Sequence, residues 1–346
     1  MNLNARPPKM MSGPQRNTEQ PDTGQNTILE IEENGTKQFT NKADDESGST
    51  TCVESKDMEE KLNAMLSELS SEEVEGAALT SYVYWQEINK KDLDPSLLDS
   101  LRQSKALAMA RRCLVGDKGD SDLAMIRLRG TLQWRKKMDI DGMRRCFYNQ
   151  DAQHNDLRQG LEFSMSTGKQ IVRGFDRKGR YVHLLVPRLK VDGDSVEGIL
   201  AATVYTAERA IAATERRTEG NLEKFYVVFD YTGFEYKHSV SLAAAKAVVF
   251  ALRDHYPERV QQIYLLDAPF VFQFFWNIIQ PFIDPVTRGK IQFLSGDEKH
   301  VEFSNLFDLE QAIPCQLAGG KLSATYDCTK FMVDVPFDCA YDEYLS

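Results

Sequence analysis

Thr287 and Lys290 stand three residues apart in DPVTRGK, where Asp284 fits an N-cap and Pro285 the first turn of a short helix. That spacing puts a hydroxyl and an ammonium on one helix face, two hydrogen-bond donors side by side. Elsewhere the chain offers little for catalysis. No G-x-S-x-G, no Gly-rich phosphate loop and no H-E-x-x-H occurs. Six cysteines (Cys52, Cys113, Cys146, Cys315, Cys328, Cys339) stand without a C-x-x-C pair, and with five histidines they make no zinc pattern. They read as reduced thiols. DGDSVEG, residues 192–198, lacks the later ligands of a calcium loop and reads as a polar turn. Asp230 ends a predicted strand, where parallel-sheet enzymes place catalytic groups, but with no partner it reads as a turn or cap residue. His255, beside Tyr256 at a helix end, reads as packed and favoured by the helix dipole. DGMRRCFYNQDAQHNDLR reads as a solvated helix face. With no nucleophile–base pair and no Cys-x₅-Arg segment, the expectation is a non-catalytic protein.

The elements that position Thr287 and Lys290 alternate in type. VRGFDRKGRYVHLLVPRL reads as a turn at 176–179 feeding a strand, followed by a long helix in VEGILAATVYTAERAIAATERR. KFYVVFDYTG is a continuous apolar run closed by Gly233, which reads as a buried strand. An Ala-rich helix follows and ends at Pro257, then a second strand in VQQIYLL, a helix over 270–283 and a third strand in IQFL. Strand–helix alternation predicts a largely parallel sheet. Upstream, DMEEKLNAMLSEL, PSLLDSLRQSKALAMARRCL and SDLAMIRLRGTLQWRKKM predict helices, the last with Ser121 as its cap.

The helix over 270–283 is unusually apolar. Phe270, Phe272, Phe274, Phe275, Trp276 and Phe282 surround a narrow stripe of Gln273, Asn277 and Gln280. Two readings stay open at this point: a helix buried on every side, or one with an inner side on a cavity and an outer side meeting a membrane or substrate.

The formal net charge of −10 argues against non-specific nucleic-acid binding and against a broad basic membrane patch. The N-terminus has no apolar run of a secretory signal, and no stretch reaches the length of a membrane span. Hydrophobic residues, 42% of the chain, suffice for a sizeable core. Residues 1–55 hold Phe39 as their one aromatic and are expected to be a disordered polar tail. The remaining divisions expected are a small helical domain over 56–150, an α/β domain over 151–325 and a C-terminal extension over 326–346.

From Leu222 to Gly320 the chain resembles the CRAL-TRIO lipid-exchange family, which includes phosphatidylinositol transfer proteins, retinaldehyde-binding protein and tocopherol transfer protein. The resemblance rests on FYVVFDYTGF, HYPERVQQIYLLDAPFVF, QPFIDPVTRGKIQFL and IPCQLAGG in that order, with ERAIAATERR, VRGFDRKGRYVHLL and TLQWRKK upstream. It implies an α/β fold with a mostly parallel sheet, flanking helices and a gate helix over an apolar cavity, preceded by a small all-helical domain. It places the headgroup of a bound lipid at Glu258, Thr287 and Lys290. The cavity and gate would be formed by Phe225, Val227, Phe229, Phe270, Phe272, Phe274, Phe275, Trp276, Ile278, Ile279 and Phe282. A lysine there supplies charge-assisted bonds to a phosphate. The competing reading is an ordinary ion pair between Lys290 and Glu258.

Two departures from the family pattern bear on the ligand. Asp117, in VGDKGD, stands where phosphatidylinositol binders carry an arginine, with Lys118 and Arg112 nearby. Phe225 and Val227 replace the small hydroxyls of phosphatidylcholine binders, so phosphatidylcholine is not expected. The resemblance implies a cytoplasmic, peripheral and monomeric lipid-transfer protein. It would bind a phosphatidylinositol-type phospholipid or another hydrophobic small molecule, with no cofactor beyond that lipid, a transient membrane surface as partner and no nucleic acid. The alternative is a lipid-responsive sensor that presents ligand occupancy to a partner protein.

Overall fold

The computed structural model describes residues 50–89, 94–147, 152–270, 272–314, 317–322 and 326–334. Residues 1–49 of the predicted tail and residues 335–346 of the predicted extension lie outside them, as do Cys315 and Cys339.

The chain begins with helices whose starts are written in local sequence. α1 (Thr50–Ser67) is followed by α2 (Ser71–Ala78), which opens on a capping box: Ser70 Oγ accepts from the Glu73 amide and Glu73 accepts from the Ser70 amide. α3 (Tyr82–Ile88) leads to α4 (Pro95–Gly116), with Asp94 as cap and proline in the first turn. α5 (Ser121–Lys137) is capped by Asp120, which accepts from the Leu123 amide, so the cap falls one residue before the predicted Ser121. The shift is physical: a carboxylate serves the positive helix end better than a hydroxyl. α6 (Ile140–Arg145) follows. Leu62, Met65, Met109, Leu114, Met125 and Leu128 form the core shared by α1, α4 and α5.

After α7 (Asn155–Met165), β1 (Gln170–Phe175) and β2 (Tyr181–Leu185) make an antiparallel hairpin. Only the second of these strands was expected. The turn at 176–179 is as predicted, with Asp176 accepting from the Lys178 and Arg180 amides. α8 (Val196–Arg217), β3 (Phe225–Asp230), α9 (Leu242–His255), β4 (Val260–Leu266), α10 (Phe272–Ile279), α11 (Pro285–Gly289), β5 (Ile291–Leu294) and α12 (Gly296–Leu306) follow. The sheet order is β1-β2-β3-β4-β5, parallel from β2 onward.

Strand register sorts the side chains. Val227 pairs with Ile263 and Ile263 with Ile291, while Phe229 pairs with Leu265 and Leu265 with Phe293, so all six share one face. α10 lies on that face, with Phe272 4.9 Å from Tyr231 and 6.2 Å from Phe293 between ring centres. α8 lies on the same face beside β1 and β2, where Thr203 Oγ1 donates to Gln170 Oε1. The opposite face carries Tyr226 and Tyr264, covered by Phe307 and Phe303 at 5.4 Å each.

The segment beyond α12 is part of the core. Phe331 and Met332 are buried in it, the Arg209 guanidinium sits 4.0 Å above the Phe331 ring, and the Tyr326 hydroxyl donates to the Met165 carbonyl.

Candidate functional site

α9 and α10 differ from ordinary sheet-covering helices. α9 carries Ala, Val, Phe and Leu around much of its circumference, yet packs chiefly on α8, α5 and the 3-10 turn at Gln280–Phe282. Phe250 meets Phe282 there at 5.6 Å. Beneath, the sheet floor is incompletely covered. Phe229 and Ile263 are half-buried although they belong to strands flanked on both sides, and Ile291 beside them is half-buried too. Apolar side chains on an inner sheet face are normally sealed. Phe229, Ile263 and Ile291 are the apolar side chains of this face left partly uncovered beside α10.

α10 has two apolar sides. Phe272, Phe275 and Trp276 turn inward onto Tyr231, Leu265 and Ile291. Phe274 and Ile278 turn outward, 69% and 49% exposed, and Phe270 just before the helix is 82% exposed. A helix buried on every side is thereby excluded. Ile279 is buried and Phe282 half-buried, and the helix stops at Ile279, before Pro281. Phe225 and Val227 belong to the main core, with the Phe225 ring 6.4 Å from that of His183 under α8. The Gln273 side chain lies outside the described residues.

Glu258 and Lys290, 32 residues apart in sequence, meet: Lys290 Nζ donates to Oε1 at 3.3 Å and to Oε2 at 3.2 Å. This is the ion pair of the competing reading. Parallel pairing explains it, because Glu258 leads into β4 and Lys290 into β5. Asp284 caps α11 as predicted, accepting from the Thr287 amide at 2.9 Å, and the Thr287 carbonyl accepts from the Lys290 amide at 3.0 Å. A third residue, missed in the sequence, joins the pair: Lys224 Nζ donates to Glu258 Oε2 at 2.7 Å. Burial works to raise the Glu258 carboxyl, but the Lys224 hydrogen bond and the charges of both lysines hold it below the usual carboxylate range.

Asp117 carries no free charge toward this region. Arg127 Nε and Nη2 grip both its oxygens at 2.7 Å, a bidentate pair, and Arg127 Nη1 also donates to the Arg253 carbonyl at 3.1 Å. Arg112 is buried and committed to Glu223 and Thr80.

The sequence also concealed a buried charge network. Glu208 accepts from Arg135 (2.6 Å), Arg144 (2.7 Å) and the Tyr256 hydroxyl (2.7 Å). Glu215 accepts from Arg259 (3.0 Å), the Ser81 hydroxyl (2.6 Å) and the Tyr82 amide (2.8 Å). The signal was present: seven residues put Glu208 and Glu215 on one face of α8, and HYPER supplies Tyr256 and Arg259. The network borders a partly open pocket of about 20 Å³ lined by Arg112, Arg135, Glu208, His255, Tyr256 and Arg259, room for a water rather than a lipid.

The other candidates resolve into structural roles. Asp230 accepts from the Thr232 amide (3.0 Å) and from Arg188 (2.8 Å), a turn role. Asp194, in the predicted polar turn, accepts from the Ser164 hydroxyl, and Ser195 caps α8. His255 stacks on Trp134 at 4.3 Å, and burial pushes it down to about 4. It is neutral at pH 7, so packing holds it without help from the helix dipole. Among the described residues, no cluster of three His, Cys, Asp or Glu suits a metal, and no helix is long and apolar enough to cross a membrane.

Comparison with known proteins places these features in context. Residues 165–316 match the CRAL/TRIO domain model. The chain is 29% identical over 217 residues to phosphatidylinositol transfer protein CSR1 of Eremothecium gossypii, covering 61% of this chain and 46% of that one. It is 24% identical over 200 residues to phosphatidylinositol transfer protein PDR17 of Saccharomyces cerevisiae, covering 56% and 54%. The chain thus spans about half the length of these curated relatives. The crystal structure of Sfh5 superposes with a TM-score of 0.55 at 19% identity, over 84% of this chain and 96% of that one, which shows the shared fold.

Proposed function

From the match of residues 165–316 to the CRAL/TRIO domain model, we propose that this chain holds one lipid in a groove beneath α10 and exchanges it at membranes. The half-buried apolar floor of Phe229, Ile263 and Ile291, under a helix apolar on both sides, carries the reading. Two long acyl chains leave hydrocarbon at a cost of about 0.8 kcal/mol per CH₂, on the order of 20 kcal/mol in all. A groove lined by apolar side chains offsets that cost; a polar one does not. Phe272, Phe275 and Trp276 cover the chains, while Phe270, Phe274 and Ile278 present an apolar surface to the bilayer. That two relatives are phosphatidylinositol transfer proteins supports a phosphatidylinositol-type ligand, with its headgroup at Glu258, Thr287 and Lys290. The protein acts without catalysis and with no cofactor beyond its lipid. It works as a monomer, peripheral to membranes on the cytoplasmic side, and does not engage nucleic acid.

The test is transfer of fluorescent phosphatidylinositol between two liposome populations. Wild type is expected to transfer it, and Lys290→Ala and Phe274→Asp to transfer it less. Wild-type rates in both variants would remove the site assignment. Mass spectrometry of lipid retained on purification identifies the ligand.

A further inference from the structure

Charge at the headgroup end of the groove is unevenly matched. Lys224 leads into β3, Glu258 into β4 and Lys290 into β5, so three adjacent parallel strands bring their leading residues together. Lys224 Nζ lies 2.7 Å from Glu258 Oε2 and Lys290 Nζ 3.2 Å from the same oxygen. One carboxylate therefore serves two ammoniums, leaving the trio with one net positive charge. The neighbouring acid Glu223 is taken by Arg112 and by Arg259, whose Nη1 lies 3.7 Å from it. The side chains of Lys224, Lys290 and Glu258 are 38%, 21% and 18% exposed, so an incoming anion reaches them without unfolding anything. Glu258 holds φ at 55°, a left-handed conformation strained for a non-glycine residue and typical of positions kept for function.

The geometry points to Lys224 as a second phosphate-binding lysine: with Lys290 it forms a two-ammonium clamp for the phosphodiester of a glycerophospholipid. Glu258 keeps the two ammoniums together and yields one of its bonds to the phosphate. A phosphodiester offers two non-bridging oxygens on one centre, a fork like that of the carboxylate the lysines already share. This rests on the lipid-binding reading above and assigns a residue that Glu258, Thr287 and Lys290 leave out.

The experiment loads the full chain with labelled phosphatidylinositol or with labelled diacylglycerol, which has no phosphate. The proteins compared are wild type, Lys224→Gln, Lys224→Arg and Lys290→Gln. Lys224→Gln is expected to lower phosphatidylinositol loading about tenfold relative to diacylglycerol loading, the size of one charge-assisted hydrogen bond. Lys224→Arg is expected to restore most of it. Normal phosphatidylinositol loading in Lys224→Gln, with a loss in Lys290→Gln, would overturn the clamp and leave the lipid reading intact. An equal loss of both lipids in Lys224→Gln would make Lys224 a structural residue and also overturn it. A wild type that loads neither lipid would remove both readings. Calorimetric titration with inorganic phosphate separates the sources: tight, Lys224-dependent binding of phosphate with no phosphatidylinositol loading would move the clamp to a soluble anion and defeat the lipid assignment.

Discussion

Glu208 is buried, with donors from three residues, Arg135, Arg144 and Tyr256, on its two oxygens. Burial works to raise its carboxyl, and the charges of Arg135 and Arg144 override that and hold it well below the usual range. Replacing it with alanine leaves two buried guanidiniums without their anion, a loss of about 3–5 kcal/mol. Urea unfolding of Glu208→Ala at pH 7 is the measurement. Acid stability follows from the same chemistry. Arg112 and Arg259 outweigh burial at Glu223 and hold it at about 2, while burial pushes His183 down to about 3. Below pH about 6.5 the unfolded chain takes up a proton that folded His183 refuses, so stability falls by up to about 1.4 kcal/mol per pH unit from that group. Below pH about 4.3 the unfolded carboxylates protonate first, and the stability that Glu223 contributes is lost as pH drops toward 2. Urea midpoints are expected to decline steadily from pH 7 to 3, with a shallower decline in Glu223→Gln.

α10 separates two contributions of one helix. Phe274 is 69% exposed, so Phe274→Asp is expected to change stability by no more than about 0.5 kcal/mol while slowing transfer. Phe272 is buried among Tyr231, Leu265 and Phe293, and Phe272→Ala is expected to destabilise by about 3 kcal/mol or less, a cavity cost moderated by the shallow site. Paired unfolding and liposome-transfer measurements distinguish these outcomes. A large stability loss in Phe274→Asp would mean that its outer face packs against protein rather than lipid. The helix was legible in the sequence as an aromatic run ended by Pro281. Its orientation was not, because the polar stripe of Gln273, Asn277 and Gln280 is narrow and large apolar side chains flank it on both sides.

Across the whole molecule, the helical layer, the sheet and the segment beyond α12 depend on one another. Arg259 ties the approach to β4 to Glu215 on α8 and to the Thr80 carbonyl after α2. Phe331 packs in the main core under Arg209. Phe331→Ala is therefore expected to cost about 3–5 kcal/mol, and truncation after residue 322 to cost at least as much. Calorimetric melting of the two variants checks this. A truncated chain that melts like wild type would show that the segment is not part of the core.

The strands β2 to β5, the helices between them and the turn at 176–179 could be read from the sequence, because apolar runs, caps and prolines act over a few residues. The Asp284 cap and the placing of Thr287 on α11, with Lys290 just past its end, were legible for the same reason. β1 was not, since Arg173 and Gly174 interrupt its apolar pattern. The joining of Lys224 to the Glu258–Lys290 pair, the pairing of Asp117 with Arg127 and the arginines around Glu208 were decided by tertiary structure. Each depends on strand order or helix packing across dozens of residues, and a charge takes its partner from whichever element the fold brings within a few ångströms.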